Sequence, residues 1–210
     1  MGPNRSLERT ANGLVRDAVQ FIIHLAGQAA TGRSAPTLAP AGQGMKLAAI
    51  RHYALSCGML LVPASVWNIA LTGHLPSSFA LAEFWRDIPA PLAATENYLR
   101  VAVFVLPFFM PLNLAAPASK PALLVYGVGT LVYFASWLAL ILFPASSWST
   151  SALGFIAPAY TPLLWLLGIA LLGRHLFWGT FYRWWMYLAL ALAFLAAHVS
   201  HTAMVYARSQ

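Results

Sequence analysis

A chain of 210 residues that is 60% hydrophobic and only 8% charged has too few ionic groups to cover a water-soluble surface, where about a quarter of residues are charged. The formal net charge of +7 comes from Lys and Arg spread over the connections between apolar runs and not gathered in one stripe, which argues against nucleic acid as a partner and for membrane lipid. The lone Cys57 sits inside an apolar run, so it excludes an intramolecular disulfide and any Cys-based metal motif.

Taken in chain order, residues 1–46 are the most polar part and form one expected unit, a basic segment and linker ahead of a helix bundle over 47–210. No apolar core follows Met1 directly, so the start does not read as a signal peptide. Leu7 to Ala30 places Val15, Val19, Ile22 and Ile23 on one helical face and Arg9, Asn12, Arg16 and Gln20 on another, the pattern of an amphipathic helix on an anionic leaflet. Thr31 to Gly44, rich in Gly, Pro, Ala and Ser, is a linker.

Five apolar runs follow, at about 48–73, 98–116, 121–143, 153–173 and 184–207, each near the roughly 20 residues that cross a hydrocarbon core. The fold class is therefore all-α, a polytopic membrane bundle with an N-terminal amphipathic helix and a further helix lying on the outer face. Pro107 and Pro111 predict a kink in the second span, and Pro158 and Pro162 predict one in the fourth. Gly127 and Gly129, with Ala135 and Ser136, offer a small-residue surface for close helix contact.

Counting basic residues orients the bundle. With the N-terminus inside, Arg5, Arg9, Arg16, Arg33, Lys46, Arg51, Lys120, Arg174 and Arg183 lie inside, and only Arg86, Arg100 and Arg208 lie outside. Trp178, Phe181, Tyr182, Trp184, Trp185 and Tyr187 then form an inner interfacial belt. Arg51 with His52 and Arg174 with His175 read as anchors on lipid phosphates. The preference for Arg over Lys suggests a GC-rich bacterium, and so a bacterial inner membrane.

This orientation exposes Glu83 to Arg100 as an extracytoplasmic connection holding three of the five acidic residues. Leu81, Phe84, Trp85 and Ile88 share one helical face, with Glu83, Arg86 and Asp87 opposite, so the first half should lie flat on the surface. Pro89 and Pro91 should end it, and Thr95 should cap the next helix with Glu96 and Asn97 in its first turn. Arg100 stands four residues beyond Glu96, the favourable order for a helical ion pair. His198 and His201 reach the same side at i, i+3 on the last span, and His74, Asn68 and Tyr160 reach it from the first and fourth. The expected constellation is thus Asn68, His74, Glu83, Asp87, Glu96, Asn97, Arg100, Tyr160, His198 and His201.

Three functions suit that constellation. One is a polar site that binds or passes a small or lipidic ligand, with Arg100 pairing an anionic group. Another is a membrane-embedded enzyme that uses His198 and His201 as metal ligands, with Glu96 or Asp87 completing the set. The third is an accessory subunit whose partners are other membrane proteins. No motif names a cofactor, and neither a phosphate-cradling loop nor a nucleophile elbow is present.

Overall fold

The computed structural model describes residues 56–179 and 181–210. The expected amphipathic helix and linker of 1–46, the boundary at 46/47, Arg51, His52 and the start of the 48–73 span lie outside the described residues. A 3-10 turn at Cys57–Leu61 leads into α1 (Val62–Leu71). Turns at Thr72–His74 and Ser77–Phe79 and the single-turn α2 (Leu81–Phe84) connect it to α3 (Ala90–Val105), which closes in a 3-10 turn at Leu106–Phe109. There follow α4 (Ser119–Leu142), α5 (Ser147–Thr150), α6 (Ala152–Tyr160), α7 (Pro162–Leu172) and α8 (Trp184–Ser209). Four stretches, Ala90–Phe109, Ser119–Leu142, Ala152–Leu172 and Trp184–Ser209, are long and apolar enough to cross a membrane. The chain is a helical, multi-pass integral membrane protein.

Where helix boundaries depart from the hydropathy reading, proline and local backbone geometry account for it. Ser56 is extended and forms an antiparallel bridge with Pro111, so no helix runs through it, and α1 has only ten α-helical residues. The second span starts at Ala90, not near 98, because Pro91 occupies the first turn, where a missing N–H costs nothing. The same rule ends it early: Pro107 falls in the closing 3-10 turn, and the chain is extended by Met110. In the fourth span the break falls at Thr161–Pro162, with Pro158 inside α6. The helix expected to lie flat on the outer face is reduced to the single turn of α2, and Asp87 beyond it takes a left-handed φ of 54°.

α4 shows how sequence becomes packing in a lipid solvent. Leu124, Val128, Leu131, Leu138 and Leu142 are exposed along one stripe, which is the face for hydrocarbon. Gly129, Thr130, Tyr133, Ser136, Trp137 and Leu140 are buried. α4 packs most extensively on α7, while α8 packs on α3, α6 and α7. A Cβ on Gly129 would lie 2.4 Å from the backbone nitrogen of Trp165, and one on Gly168 would lie 2.6 Å from the Cα of Tyr126. Each glycine therefore lets the opposing backbone come into direct contact.

The bundle has two ends. At one, Phe79 stacks on Phe155 at 4.7 Å and the Tyr206 hydroxyl donates to the Thr150 carbonyl at 3.2 Å. At the other, the Cys57 N–H donates to the Met110 carbonyl at 2.8 Å and the Phe177 N–H to that of Phe109 at 3.1 Å. All three acidic side chains among the described residues, Glu83, Asp87 and Glu96, belong to the first end.

Candidate functional site

The early start of α3 decides what Glu96 does. With Ala90 as the first helical residue, the first turn carries no acid, so Thr95 is not a cap and Glu96 is not a complement to the helix dipole. Its position turns it instead toward α8, where its carboxylate is completely buried. Three nitrogen-bearing side chains surround it. Arg100, one turn along the same helix, donates through Nη2 to Oε1, and His198 Nδ1 lies 2.9 Å from that same oxygen. His201 Nδ1 lies 2.6 Å from Oε2. Asn97 Oδ1 accepts from Arg100 Nη1 at 3.4 Å.

Hydrogen-bond direction fixes how many protons Glu96 and His201 share. His201 Nε2 stands 2.9 Å from the Phe84 carbonyl oxygen, which can only accept, so Nε2 carries hydrogen. The contact between Nδ1 and Oε2 must contain a second hydrogen, on nitrogen or on oxygen, because otherwise two lone pairs would face each other. Glu96 and His201 together are then neutral. His198 faces Glu96 through Nδ1, and Arg100 leaves the cluster with at least one positive charge. Two groups have capacity left: Nε2 of His198, whose side chain is 23% exposed, and the further N–H groups of Arg100, which is 25% exposed.

Aromatic rings encase the charged groups. The Arg100 guanidinium lies 5.8 Å from the centre of the Trp85 ring and 5.9 Å from that of Phe194, within range of cation–π attraction. Phe194 stacks on His198, with ring centres 5.5 Å apart and planes within 8°. Phe84 and Trp85 flank His201 at 4.3 and 4.6 Å. Phe194 was missed in the sequence, although its i−4 spacing from His198 could have found it. The roles of Phe84 and Trp85 were not legible, because they depend on how the 72–90 connection folds back onto α8.

Arg208 fastens that connection. Its guanidinium donates to the backbone carbonyls of Arg86 and, at 3.3 Å, of Glu83, holding the segment that supplies the Phe84 acceptor. Arg208→Gln is expected to loosen residues 80–88 by about 1–2 kcal/mol, the scale of hydrogen bonds to a charged group, while the helices keep their stability. Faster amide exchange confined to that segment would be the readout.

Of the ten residues expected to converge, five do: Glu96, Asn97, Arg100, His198 and His201. Glu83 pairs with Arg86 at 2.7 Å, and Asp87 is 80% exposed beside the same arginine. Asn68 accepts from the Tyr133 hydroxyl at 2.5 Å, which ties α1 to α4. Tyr160 donates to the Leu153 carbonyl at 3.2 Å. His74 is exposed in its 3-10 turn, and no hydrogen bond or ion pair joins it to the cluster. The two histidines direct their Nδ1 atoms at one carboxylate, and among the described residues no group of three or more His, Cys, Asp or Glu is arranged to hold a metal ion.

A helical integral membrane protein with a buried, shared carboxylate is the class that fold and site define. No protein-family model, curated protein or solved structure matches the chain.

Proposed function

We propose that this membrane protein binds or passes a small or lipidic ligand bearing an anionic group, held at the partly exposed edge of the cluster by Arg100 and His198. The observation that carries the reading is the proton count around Glu96. A carboxylate shared by one arginine and two histidines leaves at least one positive charge uncompensated, and both groups with spare hydrogen-bonding capacity lie at the cluster's exposed edge. An anionic carboxylate or phosphate completes that arrangement, since charge-assisted bonds to guanidinium are stronger than neutral ones. The distribution of basic residues along the chain supports an extracytoplasmic position for this end.

Native mass spectrometry of protein extracted gently from its own membranes tests the reading. Wild-type protein should carry a small anion or lipid at fixed stoichiometry. Arg100→Gln should retain it at least about tenfold less well, the equivalent of about 1.4 kcal/mol, while Arg100→Lys should keep part of it. Retention at wild-type level by a folded Arg100→Gln protein would remove the proposed site.

A further inference from the structure

The opposite end of the bundle carries a second feature, unrelated to the cluster around Glu96. Between the end of α7 and the start of α8 lies an open recess of about 510 Å³ lined by Arg174, Tyr182, Arg183, Trp184 and Trp185, among others. We infer that it is a binding site for the phosphate group of a membrane phospholipid.

Charge is the first argument. Two guanidinium groups line the recess, and every acidic side chain among the described residues lies at the other end of the bundle. Arg174 uses one of its five N–H donors on the Leu171 carbonyl, at 3.3 Å, which steadies the side chain and leaves the rest of the fork free. The Arg183 carbonyl accepts from the Met186 N–H at 2.9 Å, but its side chain makes no hydrogen bond or ion pair within the described residues, and as N-cap of α8 it provides no side-chain cap. The first N–H groups of a 26-residue helix therefore add their partial positive charge beside the two arginines. Guanidinium forks match phosphate oxygens in geometry as well as charge. Burial pushes the Tyr182 phenol up, so it stays a neutral hydroxyl that does not oppose an anion.

Location and surface select a phospholipid over a free phosphate ion. The recess lies in the connection between two membrane-crossing stretches, which is headgroup depth. Phe181 is fully exposed, and Trp178, Trp185 and Trp184 are 60%, 53% and 40% exposed. Rings of this kind belong at the boundary of headgroups and acyl chains. A phospholipid presents both chemistries at once, a phosphodiester for the arginines and a glycerol and acyl stem for the rings. The volume falls within the range of about 300–1,000 Å³ usual for ligand sites.

The test uses full-length protein stripped of lipid and reconstituted with phosphatidylglycerol or phosphatidylcholine vesicles, with retained lipid counted by native mass spectrometry. Wild-type protein should retain phosphatidylglycerol in preference to phosphatidylcholine, and millimolar inorganic phosphate should not displace it. Arg174→Gln/Arg183→Gln should retain about tenfold less, on the scale of surface arginines at an anionic leaflet. Lys120→Gln, which removes one charge near the same end but outside the recess, should behave as wild type. Both arginines are exposed, so the double variant should fold, with its unfolding midpoint as the check. Arg174→Lys/Arg183→Lys, which keeps charge but loses the fork, should lie between. Equal retention by the Gln double variant would overturn the site, and displacement by inorganic phosphate would make it a free-anion site and overturn the lipid.

Discussion

Glu96→Ala should destabilise the bundle by about 3–5 kcal/mol, the usual result of leaving buried charge without its partner, whereas Glu96→Gln should lose only about 1–2 kcal/mol. The difference follows from the proton count. Alanine leaves Arg100, His198 and His201 converging on an empty space where the buried carboxylate stood. Glutamine keeps an acceptor where Oε1 meets Arg100 and His198, and puts an amide where Oε2 meets His201. The His201 ring can then accept that N–H at Nδ1 while Nε2 still donates to the Phe84 carbonyl, so one proton leaves with the lost negative charge and the net charge of the cluster is unchanged. Denaturant unfolding of the three proteins in one detergent measures the gap. If Gln proves as damaging as Ala, the pair is not neutral and the accounting is wrong.

Gly168→Ala and Gly129→Ala should each lower stability by about 1–3 kcal/mol, the range for forcing extra atoms into a packed interface. At Gly129 the added carbon would press on the backbone of α7, and at Gly168 on that of α4, so no side-chain rotation relieves it. The helices must separate, which costs the packing that holds membrane helices together. Gly127→Ala should be neutral or mildly stabilising, because nothing lies within 4 Å of its would-be Cβ and alanine is the better helix former. Thermal unfolding of all three separates them. Comparable losses at 127 and 129 would mean that the α4–α7 contact is not the one described.

The contrast between these glycines also shows what was legible. Residues two apart on a helix point about 200° apart, so Gly127 and Gly129 could never share one interface, and only the structure says which is used. Relations along one helix read cleanly: Glu96 to Arg100, His198 to His201. Asn68, His74 and Tyr160 failed to join because distance along a span gives height in the membrane and not direction around it. Asn68 is held by Tyr133, toward α4. The Phe84 carbonyl and the Arg208 tether were invisible because backbone acceptors leave no mark in a sequence. The onset of α3 was misread because Pro89 and Pro91 serve equally as the end of one helix and the first turn of the next.

The separation of Glu96 from its histidines, 102 and 105 residues along the chain, has a consequence for biogenesis. At about 5–20 residues per second, the stretch containing Glu96 emerges from the ribosome on the order of ten seconds before the histidines exist. During that interval Arg100 is its cationic neighbour on the same helix, and the two imidazoles that complete its hydrogen bonds are absent. Insertion of α8 ends this state by bringing both imidazoles and closing the site at once. A translation arrest ahead of α8 should therefore leave a chain whose Glu96 carboxylate lacks two of its three side-chain partners.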